Sequence, residues 1–334
     1  MATSVFPISL PPLAPPTVVG PKVRCPTRPT HTLPQYLIDE ARIPERVAFD
    51  PKKHLNYVEP DKIYSMREIG LEGQGISNTA ASTPFSLFTP DAIAQMRAEI
   101  FSQPVLESCQ YSSDFAKNMI RGFGPSPEVL AAVSKIAGIE LVPAIEFDVG
   151  HINISVNNAN TELSQIKDTA NSDDSAFAWH RDSFPFVCVT MLSDCTGMVG
   201  GETALKTGFG DVMKVRGPAK GTAVVMQGRY IEHQALKAMG GRERISMVTS
   251  FRPKNPLIRD EVVLTGVRGI STLPELYGQY TQYRLEVLEE RIRAMEKKLR
   301  DRERCGRTFD ISEARRFVTE QKQFLEATLL ELVE

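Results

Sequence analysis

His180 and Asp182 stand two apart in Trp179-His180-Arg181-Asp182-Ser183, and His233 follows after residues 183–232. In an extended strand, side chains two apart project to the same face, so an imidazole and a carboxylate can converge on one cation. A second imidazole from His233 would complete the two-His-one-carboxylate set that suits non-haem Fe(II). Three protein donors on one side leave other coordination positions open, as oxygen chemistry requires. H-x-D alone is a weak motif. Here its flanks, Ala176 to Trp179 and Phe184 to Leu192, are apolar, aromatic and β-branched and read as sheet. His180 and Asp182 are thus polar intrusions into a segment built for burial, where charge is costly unless paired or metal-bound. A structural His–Asp hydrogen bond is the alternative reading.

The segment Arg244-Ile245-Ser246-Met247-Val248-Thr249-Ser250-Phe251 alternates like a strand. Arg244, Ser246, Val248 and Ser250 share one face; Ile245, Met247, Thr249 and Phe251 share the other. An Arg and a Ser hydroxyl in phase can grip a carboxylate, the Arg through paired N–H bonds. His180-x-Asp182, His233 and Arg244-x-Ser246 together resemble the signature of the Fe(II)/2-oxoglutarate-dependent oxygenases. The run from Ala178 to Pro253 is similar to fungal members of that superfamily, several of them from secondary metabolism. The resemblance implies that His180, Asp182 and His233 hold Fe(II), and that 2-oxoglutarate chelates the iron while its far carboxylate meets Arg244, assisted by Ser246. It implies an oxidoreductase that uses O2 to oxidise a C–H bond of a small molecule, releasing succinate and CO2. Hydroxylation, desaturation and oxidative cyclisation, including aziridine formation on an amino acid, are all variants of that chemistry. Two other classes remain open. One is a cupin-like metal enzyme without 2-oxoglutarate, against which Arg244-x-Ser246 speaks. The other is a non-catalytic interaction protein, against which the intact triad speaks.

These residues need a scaffold, and the periodicity supplies one. From Glu140 the pattern turns to period two: Ile145, Phe147 and Val149 alternate with Glu146 and Asp148, then His151, Asn153 and Ser155 with Ile152, Ile154 and Val156. The stripe of His151, Asn153 and Ser155 is expected either to face the barrel interior beside substrate or to form a half-exposed strand face. Residues Asn160 to Ser175 are polar and read as a loop able to cover the site. Gly200-Gly201-Glu202-Thr203-Ala204-Leu205 opens another strand, or is a plain glycine turn; in the resembled family a similar segment borders the active site, which makes Thr203 a candidate substrate contact beside His151 and Asn153. A strand is expected over Thr222 to Gln227. Short strands punctuated by turns between 140 and 252 suggest a mainly β fold with flanking helices, a double-stranded β-helix of the jelly-roll or cupin type. No dinucleotide fingerprint is present.

At 334 residues the chain exceeds the usual size of a single core, so one large domain with appendages, or two domains, is expected. Residues 1–45 read as a proline-rich arm, with nine prolines before Gln35. Residues 46–272 read as the oxygenase domain and 273–334 as C-terminal helices packed on it. Thr89-Pro90-Asp91 and Ser126-Pro127-Glu128 each combine a cap, a proline at the first helical position and an acid near the positive end, announcing two scaffold helices. Leu276, Tyr280, Tyr283, Val287, Leu288, Ile292, Met295 and Leu299 trace one face of a long helix. Gly306 stops it, and a second helix from about Ile311 carries Phe317, Phe324, Leu325, Leu329 and Leu332. A helical hairpin on the barrel is expected, with a homodimer through the same helices as the sharper alternative. A net charge of −2 argues against a nucleic-acid or anionic-membrane surface. No run approaches ~18 apolar residues. Five scattered cysteines without a C-x-x-C pair suit a reducing, cytoplasmic setting.

Overall fold

The structure, a computed structural model, describes residues 14–20, 27, 33–111, 119–120, 126–146, 150–156, 179–215, 219–236, 238–239 and 241–334. Its organising element is the strand Glu243–Pro253, whose 11 residues are mostly buried. On one edge it pairs with Phe186–Met191; on the other it pairs with His151–Val156 along its first half and Leu141–Pro143 along its last residues. Beyond Phe186–Met191 lie Thr222–Met226, Thr79–Ser82 and Ile63–Ser65, with Phe85–Ser86 also on Thr222–Met226; beyond His151–Val156 lie Met119–Ile120 and Gln110–Tyr111. Every pairing in this sheet is antiparallel.

A second antiparallel sheet orders Val212–Val215, Thr203–Lys206 and His233–Ala235, and a two-stranded ribbon joins Ala238–Met239 to Val199–Gly200. An antiparallel bridge between His180 and His233 extends the small sheet by one further residue. The two sheets share a core. Val187, Val224 and Met226 from the large sheet cluster with Leu205 and Val215 from the small one. This is what the alternation of apolar residues in both sets of strands demands of faces that must leave water.

The opposite face of the large sheet is covered by helices Pro90–Ile100 and Pro127–Ala137, whose Ile93, Val133 and Ile136 pack with Ile152, Cys188, Ile245 and Phe251. Both helices start as their sequences dictate. Thr89 Oγ1 accepts from Ala92 N–H at 3.2 Å and Ser126 Oγ from Val129 N–H at 3.3 Å, with proline in the first turn of each. The period-two pattern of Glu243–Pro253 therefore separates two environments: Ile245 and Phe251 face the helices, while Val248 packs with Val187 and Val224 on the face toward the small sheet.

Two long helices, Leu273–Arg304 and Ile311–Glu331, complete the described chain. Their contacts run in opposite directions: Tyr277 Oη donates to Val333 O at 3.1 Å, Arg284 meets Phe324 and Thr328, and Lys298 pairs with Glu313. Leu276, Tyr280, Tyr283 and Val287 bury against Phe184, Val262 and Leu264, so the first half of the long helix seals one flank of the sheet. The stripe expected to run on through Ile292 and Leu299 stops short: burial ends at Val287 and Ile292 is exposed. Of the stripe expected on the second helix only Phe324 is buried, whereas Leu325 and Leu329 face water. No described helix is long and apolar enough to cross a membrane.

Two strand boundaries differ from expectation. The strand read from Glu140 stops at Pro143, because Ala144 and Ile145 turn away to join the cluster under the long helix; Phe147 and Val149 lie outside the described residues. The strand read from Phe184 begins at Phe186, because Pro185 has no N–H to give a ladder. His180 and Asp182 consequently sit just ahead of that strand rather than within it. The expected covering loop, Asn160 to Ser175, also lies outside the described residues.

Candidate active site

His180, Asp182 and His233 come together at the open edge of the small sheet. Backbone bonds tie the two histidines reciprocally, His180 N–H to His233 O and His233 N–H to His180 O, each at 2.9 Å. This sets the imidazoles side by side, with ring centroids 4.4 Å apart. Asp182 is fixed independently by its N–H to Gly228 O at 3.0 Å. Nε2 of His180 and Nε2 of His233 each lie 3.6 Å from Asp182 Oδ1. That is too long for a hydrogen bond, yet within the ~4.2 Å that two donors can span when each is ~2.1 Å from a shared cation. One donor atom from each of the three residues lies within 4.8 Å of the others.

The protonation states suit ligation. Ile231 O, an acceptor only, lies 3.0 Å from His233 Nδ1, so Nδ1 carries the proton and Nε2 keeps its lone pair for the cluster. His233 is buried, and that burial pushes its imidazole below the ordinary histidine range, partly opposed by the Asp182 charge. Neutral imidazole is the ligating form. Asp182 Oδ2 is buried and accepts no hydrogen bond from the described residues. A buried carboxylate oxygen in that state needs a cation nearby. The donor set of two imidazoles and one carboxylate therefore fits a divalent ion of the Fe(II) type.

Residues flanking the ligands clamp the outer surface. Glu232 takes Lys206 at 2.6 Å and Arg181 at 3.1 Å, while Lys206 sits 4.6 Å above the Trp179 ring. The Lys206 hydrogen bond, with Arg181 behind it, holds the Glu232 carboxyl below the usual range. These outward pairs lock the segments that carry His180 and His233.

Arg244 is the second buried polar feature between the sheets. It is 7% exposed, its Nη1 donates to Ser246 Oγ at 3.3 Å and its Nη2 to Gly201 O at 3.5 Å. Its Nε has no partner, and no carboxylate pairs with it among the described residues. Burial drags its pKa down, as expected of a cation with little to offset desolvation. Its sequence neighbour Glu243 faces the helices and is claimed by Arg97 at 2.8 Å.

The three candidate substrate contacts fall on the same interior. Ser155, Asn153 and His151 lie directly opposite Arg244, Ser246 and Val248 and so share their face. Asn153 Oδ1 is buried without a partner among the described residues, and His151 Nδ1 lies 2.5 Å from Tyr111 Oη. Thr203 lies opposite Ala235 as Leu205 lies opposite His233, which places Thr203 on the His233 face. Sequence reasoning missed Gly228. A Cβ built there would stand 1.7 Å from Asp182 Oδ2, so only glycine leaves room for the carboxylate. It also missed the carbonyls of Ile231 and Gly201, which as backbone groups leave no trace in residue type.

No protein-family model matches the chain. No curated protein is similar to it either. Solved structures overlay on part of it. An oxidoreductase of the 2OG-Fe(II) oxygenase family from Burkholderia pseudomallei is 19% identical, with 38% of this chain and 51% of that one covered and a TM-score of 0.26. AviO1 from Streptomyces viridochromogenes is 15% identical over 51% of this chain and 87% of its own, TM-score 0.34. A prolyl-4-hydroxylase from Pseudomonas putida is 18% identical over 41% of this chain and 92% of its own, TM-score 0.21. The chain thus spans about half the length of the first of these. None of these three overlays reaches a TM-score of 0.5, and what the site can do is taken from its own residues.

Proposed function

We propose that this protein is an Fe(II)- and 2-oxoglutarate-dependent oxygenase that oxidises a C–H bond of a small molecule, of the kind met in secondary metabolism, in a site between the two walls of a jelly-roll barrel. One observation carries the reading. Two incompletely satisfied groups of opposite sign lie on the small-sheet side: the partly buried Asp182 carboxylate, flanked by two imidazoles, and the buried Arg244 guanidinium, with no acid of its own among the described residues. A divalent cation completes the first and a dianionic co-substrate the second.

In this reading His180 and His233 present Nε2 and Asp182 presents a carboxylate oxygen to the metal, with Ile231 O and Gly228 O holding two of these side chains in register. Bound there, Fe(II) supplies the oxygen activation that couples conversion of 2-oxoglutarate into succinate and CO2 to oxidation of the substrate. Arg244 offers paired N–H donors to the far carboxylate of the co-substrate, and Ser246 Oγ, 3.3 Å from Nη1, orients that fork and adds a donor of its own. Asn153 Oδ1, on the same face, is placed to accept from a substrate N–H or O–H. Thr203 borders the site from the other wall.

The test is ferrous-dependent formation of succinate from 2-oxoglutarate, run with a panel of amino acids and small metabolites. Succinate that depends on both iron and a panel member supports the proposal. Turnover with zinc or manganese and no 2-oxoglutarate would assign the site to a cupin-type enzyme instead.

A further inference from the structure

The face of the large sheet turned away from His180, Asp182 and His233 holds a cavity of about 620 Å³. Its floor is Ile152, Cys188, Met247 and Phe251, and its walls include Ala92 and Val129 of the two covering helices. The volume falls within the ~300–1,000 Å³ of small-molecule sites, and the lining has the expected character, apolar with a few placed polar groups. The Arg46–Glu99 ion pair, at 3.0 Å and half-exposed, stands among the lining residues with exposed Phe49.

One polar side chain distinguishes this space from a packing void. His54 lines it and is 3% exposed. Its Nδ1 accepts Asp50 N–H at 2.8 Å, and an acceptor nitrogen carries no proton, so a neutral ring holds its proton on Nε2. Nε2 has no partner among the described residues. Nε2 is not sealed from solvent, so an incoming oxygen can reach it and accept its proton. The floor carries no charged group. Cys188 is a buried thiol pushed up to about 12 by its burial, so it stays neutral and apolar in character. A ligand carboxylate would be desolvated there without a counter-ion.

We infer that this cavity is a second ligand site, for a neutral molecule with a hydrocarbon or aromatic skeleton and one hydrogen-bond acceptor, a ketone, ester or alcohol oxygen, received by His54 Nε2–H. The ligand is not turned over, because a full β-sheet separates it from the metal-binding residues. It touches Met247 and Phe251, on the strand whose other face carries Arg244 and Ser246, so it bears directly on the element that positions the co-substrate. The inference goes beyond the oxygenase reading and does not depend on it.

The experiment uses the full chain and the neutral aromatic ketone 6-propionyl-2-(dimethylamino)naphthalene, whose emission brightens in apolar surroundings and shifts to the red when its carbonyl accepts a hydrogen bond. Saturable one-site binding is expected, unchanged by excess 2-oxoglutarate. Ala92→Trp fills the cavity and should weaken binding at least tenfold; if it does not fold, Met96→Trp on the same helix serves the same purpose. His54→Phe should keep binding within a few-fold but move the bound emission to the blue. No saturable binding, displacement by 2-oxoglutarate, equal affinity in a folded filled variant, or unchanged emission in His54→Phe would each overturn the inference.

Discussion

Four arginines are buried among the described residues, and two of them, Arg284 and Arg244, are treated in opposite ways. Under the C-terminal helices Arg284 is 2% exposed and fully engaged: Nη1 lies 3.2 Å from Asp260, Nε donates to Thr328 Oγ1 at 2.9 Å, Nη2 to Phe324 O at 2.8 Å, and its plane lies 3.4 Å from the Phe324 ring centre. Between the sheets Arg244 is nearly as buried but has only a hydroxyl and a distant carbonyl. Burial without compensation is unfavourable, and a fold tolerates it where the missing partner arrives from outside. The first arginine closes a structure; the second, in the proposed reading, is held ready for a ligand. Asp182 stands to its two imidazoles as Arg244 stands to Ser246, with the sign of the charge reversed.

That contrast can be broken experimentally, and the largest effect is expected at the metal. His233→Ala removes one donor, and ferrous-dependent turnover should fall to background while circular dichroism and cooperative unfolding persist; retained activity would remove His233 from the site. Next comes Arg284→Met. It strands Asp260 in the core and should lower stability by about 3–5 kcal/mol, as breaking a buried pair does, measured by urea unfolding. Gly228→Ala drives a methyl into the space of Asp182 Oδ2 and should weaken Fe(II) binding by about 10–100-fold, the range for residues that support metal ligands, measured by anaerobic titration. Arg244→Lys keeps charge but loses the planar fork, so the KM for 2-oxoglutarate should rise by roughly tenfold, about 1.4 kcal/mol. An unchanged KM would move that role elsewhere, Arg229 or Arg252 being next. The smallest effect sharpens the comparison most. Arg244→Met has no acid to strand, so stability should stay within about 1 kcal/mol of the parent or rise, in contrast with Arg284→Met.

What the sequence disclosed, and what it hid, follows from the range of each interaction. Arg244 with Ser246 is legible because a two-residue spacing within a strand fixes a shared direction, and the structure does turn the Arg244 face toward the small sheet; His180 and Asp182, ahead of their strand, are brought together by separate backbone bonds to His233 and Gly228. His233 needed the downstream arginine to single it out from Arg229-Tyr230-Ile231-Glu232-His233. The two helix starts at Thr89 and Ser126 were legible because capping is local. The end of the strand at Pro143 was not, since what draws Ile145 away is a cluster built by residues more than a hundred positions later. Gly228 was equally hidden: its backbone is not in the left-handed region, and its requirement is empty space beside a side chain 46 positions earlier. The apolar stripe on Ile311–Glu331 gave the helix but misplaced its burial, because periodicity reports a face and not what covers it. The cavity behind the sheet draws its walls from six separate segments, and no spacing rule gathers those.

The reciprocal backbone bonds between His180 and His233 also fix an order of events. Residues 181–232, which include the small-sheet strands Thr203–Lys206 and Val212–Val215, form a loop that must close before the second imidazole can reach the first. Closing a loop of that length is an entropic step of several kcal/mol, met by the sheets and not by a metal ion. Since the clasp is made by main-chain atoms, it forms whatever side chains stand at 180 and 233. If the site holds iron as proposed, nascent chains would mature in two stages, first a folded protein with its donors already gathered, then loading from the cellular iron supply. Iron starvation should leave behind a stock of folded, loadable protein rather than misfolded chain.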